Sequence, residues 1–188
     1  MRVFIAIDIN NEIRAAISDL QQKLKADADI KKHDVKWVRP ENIHLTLKFL
    51  GETTDTQLLD VCNAVEQAVA GENGFHLEIA SVGYFGGGSA RVLWVGTRPE
   101  SDELCRLQKK IEEQLSQVGW PKEKRSFTGH LTLCRIKNTN AGAKLAQISE
   151  KYSDYNLGTI SVDSVKVYQS RLTPKGPIYN MLGNYKLQ

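Results

Sequence analysis

Two stretches decide how this chain reads: His44-Leu45-Thr46-Leu47 and, 86 residues further on, His130-Leu131-Thr132-Leu133. Each copy lies in a short apolar run with polar sequence around it. In a β-strand alternate side chains share a face, so His44 and Thr46 point one way and Leu45 and Leu47 the other. The second copy repeats this with His130 and Thr132 against Leu131 and Leu133. One histidine on a half-buried strand is ordinarily a packed or hydrogen-bonded residue, and a duplicated fold keeping both for packing alone is the competing reading. Yet two of only four histidines occur in identical tetrapeptides. Facing one another, such strands offer two imidazoles for proton transfer and two hydroxyls for an anion, the equipment for metal-free phosphoryl chemistry.

Working outward, residues 2–9 read as a strand, followed by a helix with Ile13, Ile17, Leu20 and Leu24 at steps of three and four. A second helix follows Gly51, with Thr54 or Asp55 as its cap and Leu58, Val61, Val65 and Val69 on one face. Strands over 75–85 and 91–96 come next, then a helix marked by Leu104, Leu107, Ile111 and Leu115. The second motif follows the loop 119–126, and after it come a weaker helix over 141–152 and strands over 159–170 and 178–187. The order after the second motif echoes the order after the first, so the chain reads as two similar halves. A shift of about 86 residues brings Leu93-Trp94-Val95 near Tyr179-Asn180-Met181, while the first strand and helix correspond in order to 91–96 and the third helix. No Pro/Gly/Ser-rich linker divides the halves. The expected fold is α+β, with two pseudo-symmetric lobes of antiparallel sheet, helices on the outer faces and a central cleft carrying both motifs. Residues 1–188 are expected to form a single bilobal domain.

Composition excludes more than it selects. With 41% apolar and 25% charged residues the chain is neither disordered nor fibrous. The longest apolar runs, such as 3–7, are too short to span a bilayer, and the N-terminus lacks the basic, apolar and small-residue succession of a signal peptide, so a cytoplasmic protein is expected. Cys62, Cys105 and Cys134 are odd in number and unpaired in spacing, against a disulfide framework or a zinc ribbon. Cys62 and Cys105 fall in helical patterns and read as core, whereas Cys134 would share the face of His130 and Thr132 on a regular strand. A net charge of +3 does not by itself identify a nucleic-acid binder. Lys122, Lys124 and Arg125 read as a solvated surface run or a phosphate-attracting rim, and Lys48 lies on the predicted face of His44. Gly86-Gly87-Gly88 reads as a hairpin connection, because a strand pattern follows it where a phosphate-cradling loop would open a helix. His33 and His76 read as surface or structural residues, Trp37, Trp94 and Trp120 as packing. No cluster has metal-ligand spacing, and no metal or cofactor is expected.

The paired motifs resemble the HxTx signatures of the two-histidine (2H) phosphoesterase superfamily. More narrowly, Met1-Arg-Val-Phe-Ile-Ala-Ile7, Trp37-Val-Arg-Pro-Glu-Asn-Ile-His-Leu-Thr-Leu-Lys-Phe-Leu-Gly-Glu52, Val92-Leu-Trp-Val-Gly96, His130-Leu-Thr-Leu-Cys-Arg135 and Ser170-Arg-Leu-Thr-Pro-Lys-Gly-Pro-Ile-Tyr179 are similar to the LigT/ThpR-type RNA 2′,3′-cyclic phosphodiesterases, in their order and over essentially the full length. The resemblance implies metal-independent hydrolysis of an RNA 2′,3′-cyclic phosphate to a 2′-phosphomonoester. It implies His44 as proton donor, His130 as proton acceptor, and Thr46, Thr132 and Arg135 as substrate-binding residues. Strict alternation places Arg135 on the face opposite His130, so its role requires the strand to end or bulge near Cys134. Where the family often has Pro before the second His, this chain has Gly129, which would loosen the approach to His130. The implied partner is an RNA or nucleotide with a cyclic phosphate end, the simplest assembly a monomer. The alternatives are reversible 2′,5′ RNA ligation as the main role, also implied by the resemblance, and a non-catalytic RNA-end or nucleotide-binding module.

Overall fold

The second His-Leu-Thr-Leu stretch opens a strand and the first starts one residue ahead of its strand, and those strands are neighbours at the centre of one antiparallel sheet. The computed structural model describes residues 1–98, 102–174 and 176–188. Its elements are β1 (Arg2–Ile7), α1 (Asn11–Ala28), β2 (Val35–Trp37), a 3₁₀ turn (Pro40–Asn42), β3 (Leu45–Glu52), α2 (Asp55–Val69), β4 (Phe75–Gly86), β5 (Ala90–Arg98), α3 (Asp102–Gln117), β6 (His130–Ile136), α4 (Thr139–Glu150), β7 (Asn156–Val162), β8 (Ser164–Thr173) and β9 (Gly176–Lys186). Lys175, inside the 170–179 stretch of the resemblance, lies outside the described residues.

The strand order is β7-β4-β5-β6-β3-β1-β8-β9, with β2 paired to β6. The register of β3 with β6 consists of one pair, Leu45 against Leu131. That narrow joint divides the sheet into two four-stranded lobes, β9-β8-β1-β3 and β6-β5-β4-β7, each with a motif strand at its inner edge. The lobes are not the two halves of the chain. β4 follows the first motif yet belongs to the second lobe, and β8 and β9 cross back to the first. The helices cross as well, α1 packing on α4 and β7 of the second lobe while α2 and α3 pack together against the first. β5 therefore stands where β1 does, directly beside a motif strand, and the correspondence of 93–95 with 179–181 is not observed because Tyr179 sits on the edge strand β9.

The expected strand over 159–170 is two strands that turn at Asp163, whose carbonyl accepts from Leu187 N at 2.8 Å. Before the turn β7 pairs with β4, and after it β8 pairs with β1. The apolar positions record the switch: buried Ile160 and Val162 alternate in one phase, buried Val165 and Val167 in the other. Residues 87–89 connect β4 to β5 as a hairpin.

The helices begin where side chains satisfy their first amides. Asn10 Oδ1 accepts from Ile13 N at 2.9 Å, and Thr54 with Gln57 forms a reciprocal capping box. Asn138 accepts from Asn140 N and Ala141 N, starting α4 two residues earlier than its apolar pattern suggests. Ile13, Ile17, Leu20 and Leu24 of α1, and Leu104, Leu107, Ile111 and Leu115 of α3, are buried between helices and sheet. Each such side chain stabilises the fold by about 1.5–3 kcal/mol relative to exposure. The apolar sides of both lobes thus face the helices, leaving the opposite face of the motif strands for the cleft.

Candidate active site

Leu45 and Leu131 pair back to back and are fully buried. Ideal antiparallel geometry about that single pair brings His44 toward Thr132 and Thr46 toward His130. On that geometry the two histidines are diagonal neighbours, roughly 7–8 Å apart in the backbone, with room for a phosphate between them. All four side chains share the face opposite the buried leucines and are half-buried.

Immediately after this symmetric core both strands bulge at the same place. On β3, Thr46 pairs with Ala6 and Lys48 with Ile5, so Leu47 has no partner; on β6, Thr132 pairs with Trp94 and Cys134 with Leu93, so Leu133 has none. An extra residue inverts the facing of the residues beyond it. Residues 48 and 134 turn into the interior, and residues 49 and 135 turn into the cleft. Arg135 is thereby on the side its role requires. Cys134 is fully buried and does not line the cleft, contrary to regular alternation, and burial pushes its thiol up to about 12. Lys48 is likewise displaced from the face of His44. It is 5% exposed, with its ammonium 2.8 Å from Glu112 and 2.8 Å from the Pro121 carbonyl.

The bulges are held by residues that the motifs alone do not reveal. Gln21 of α1 donates to the Leu133 carbonyl at 3.1 Å and to Val38 O at 2.8 Å, while Gln108 of α3 reaches the Leu47 carbonyl at 3.5 Å. Both glutamines are buried. A signal for them exists: Leu20-Gln-Gln-Lys-Leu24 and Leu107-Gln-Lys-Lys-Ile111 repeat at nearly the same spacing as the motifs.

Each histidine is packed by aromatic rings. His44 stacks on Phe4 with ring centres 4.6 Å apart and meets the edge of Tyr179 at 5.2 Å. His130 meets Phe85 edge-on at 4.9 Å, beside Trp94 at 6.4 Å. Gly83 makes that arrangement possible, since a β-carbon there would fall 2.4 Å from the Trp94 ring. Burial holds both imidazoles below their ordinary proton affinity, His44 at about 4. Backbone hydrogen bonds with Asn42 and Thr128 oppose this. Beyond these shared effects the fields differ in sign, because the Asp8 carboxylate favours the imidazolium of His44 whereas Arg135 disfavours that of His130. Asp8, which accepts from Lys166 and Tyr168, shares a cavity wall with His44. His130 Nδ1 lies 2.7 Å from the Thr128 carbonyl. A carbonyl only accepts, so Nδ1 carries the hydrogen and Nε2 of the neutral ring is left as a base.

A cavity of about 360 Å³ opens on this face, with His44, Thr46, Phe49, Thr132, Arg135 and Tyr179 in its walls. His130 stands on the same face outside that wall. Gly129 does not leave the approach to His130 loose: it presses so closely on Leu104 and Thr97 that a β-carbon would come within 2.7 Å and 3.0 Å of them. Lys122, Lys124 and Arg125 are exposed and do not line the cavity. His33 is exposed beside Asp34, and His76 is exposed near Ser161. Cys62 is half-buried, and Cys105 is exposed on α3 rather than part of the core. Among the described residues no group of three or more His, Cys, Asp or Glu could hold a metal ion, and no helix is long and apolar enough to cross a membrane.

Two lobes meeting at paired His/Thr strands, with a flanking arginine, define a phosphoesterase of the two-histidine class. The LigT like phosphoesterase family matches twice, over residues 7–94 and 95–179, and the chain belongs to that family. The RNA 2′,3′-cyclic phosphodiesterase of Archaeoglobus fulgidus is 36% identical over 183 residues, covering 97% of this chain and 98% of that one. The Methanocaldococcus jannaschii protein of the same name is 34% identical with the same coverage. Among solved structures, TT0787 of Thermus thermophilus superposes with a TM-score of 0.80 at 27% identity, covering 100% of this chain and 98% of that one.

Proposed function

We propose that this protein hydrolyses RNA 2′,3′-cyclic phosphodiester ends to 2′-phosphomonoesters without a metal ion. The observation that carries the reading is that His44, Thr46, His130 and Thr132 lie on the face opposite the paired Leu45 and Leu131, in a member of a family whose relatives are RNA 2′,3′-cyclic phosphodiesterases. His130 Nε2 removes a proton from water as the water oxygen attacks phosphorus. The P–O3′ bond breaks, and His44 protonates the departing 3′ oxygen, leaving a 3′ hydroxyl and a 2′-phosphate. The opposed charges beside the two rings support this division of roles, and the phosphodiester anion itself restores the proton affinity that burial takes from His44. Thr46 and Thr132 donate to the non-bridging oxygens, and Arg135 neutralises the charge that gathers on them in the transition state. One chain supplies every group, so residues 1–188 work as a single bilobal unit and as a monomer, with the cytoplasm as the place of an RNA-end substrate.

The test is incubation with EDTA and a short RNA ending in a 2′,3′-cyclic phosphate, followed by identification of the terminal phosphate. A 2′-phosphate is the expected product. A 3′-phosphate would refute the assigned direction of cleavage, and binding without turnover would make the protein an RNA-end binder.

A further inference from the structure

The cationic lining of the cleft continues beyond Arg135. On β2, Lys36 lies directly across from Arg135, and both line the catalytic cavity. Like charges directly opposed across strands repel, by up to about 1 kcal/mol. Among the described residues neither has an ion-pair partner to relieve it. Lys36 and Trp37 are also walls of a second cavity of about 550 Å³, whose other cations are Lys25, Lys31 and Lys32. These lysines are exposed, and Lys25 Nζ sits 5.0 Å from the centre of the Trp37 ring. Residues 23–39 carry six Lys and Arg against three Asp, in a chain whose whole net charge is +3. Two of those carboxylates are already engaged, Asp27 by the Tyr152 hydroxyl and Asp34 by His33.

We propose that this groove is the track for the RNA strand leading up to the cyclic end, with Lys36, Lys31, Lys32 and Lys25 meeting successive backbone phosphates and Trp37 at the junction offering a ring to a base. An aromatic platform beside a line of cations is the surface that single-stranded nucleic acid requires. The inference rests on the hydrolase reading and narrows it: the substrate is an oligonucleotide in preference to a cyclic mononucleotide.

Lys31→Glu/Lys32→Glu tests it, since both positions are exposed and outside the catalytic machinery. Against a decamer RNA with a 2′,3′-cyclic phosphate, the variant should lose about tenfold or more in kcat/KM, while 2′,3′-cyclic CMP is turned over within about twofold of the parent rate. Fluorescence anisotropy with a labelled decamer ending in a 3′-phosphate reads the same surface without turnover. Its salt slope should fall by about 1.4, at ~0.7 per single-strand phosphate contact. Unchanged decamer affinity, or equal losses on both substrates, would overturn the proposal. Lysine-dependent decamer binding by a parent protein that hydrolyses neither substrate would uphold the track and overturn the hydrolase reading.

Discussion

The strands β3 and β6 are alike for four residues and then part company. Each follows the His-Leu-Thr-Leu pattern, with His44 just ahead of β3 and His130 opening β6; both bulge at the last leucine, and both have that leucine's carbonyl held by a buried glutamine from a helix. The next two positions receive identical placements and opposite chemistry. Inside, Lys48 is an ion-paired cation where Cys134 is a small apolar thiol; in the cleft, Phe49 is a 65% exposed aromatic ring where Arg135 is a charge. A symmetric scaffold can thus support an asymmetric reaction. The backbone positions two equivalent imidazoles, and the unequal neighbours tell them apart.

The comparison is broken most severely at the histidines. His44→Ala and His130→Ala should each lower kcat by about 10²–10⁴ with the circular dichroism spectrum retained; unaltered rates in both would dismiss the acid and base roles together. The interior positions should differ sharply in stability. Lys48→Met strands the Glu112 carboxylate and should cost about 3–5 kcal/mol in urea unfolding, since breaking one side of a buried pair leaves an uncompensated charge. Cys134→Ala removes one sulfur atom and should cost about 1 kcal/mol. Equal costs would mean that the Lys48–Glu112 pair has no special weight.

Among the cleft residues, Arg135→Met should reduce kcat/KM by about 10²-fold, as expected for the loss of a group that stabilises transition-state charge. It also carries a pH signature. Arg135 lowers the proton affinity of His130, and a base must be unprotonated, so removing the guanidinium should move the acid limb of the kcat/KM profile to higher pH. The smallest effect is expected at Asp8. Its carboxylate raises the proton affinity of His44, so Asp8→Asn should shift the alkaline limb to lower pH by a fraction of a unit. If the alkaline limb moves up in Arg135→Met and the acid limb moves down in Asp8→Asn instead, the acid and base assignments are exchanged.

Much of this was legible in the chain itself. Apolar spacing located α1, α2 and α3, the Thr54 cap was visible, and the duplicated tetrapeptide placed two His/Thr pairs on strand faces, because periodicity and capping are local properties. Strict alternation misplaced Lys48 and Cys134 and left Arg135 conditional, for a bulge depends on the partner strand and on Gln21 and Gln108, which come from distant helices. The break at Asp163 was likewise written as a phase slip between Val162 and Val165, but its meaning, a crossing between lobes, depends on pairing with β4 and β1.

The sequence by itself determined the repeated pairs of imidazole and hydroxyl, the amphipathic helices and the α+β order of elements. Only the tertiary structure decided that the lobes interleave rather than follow the two halves, that Arg135 enters the cleft, and that Asp8 and Arg135 set the two histidines apart. Those outcomes arise from contacts between residues tens of positions apart, where pairing register and electric field are properties of the assembled sheet and not of any one segment.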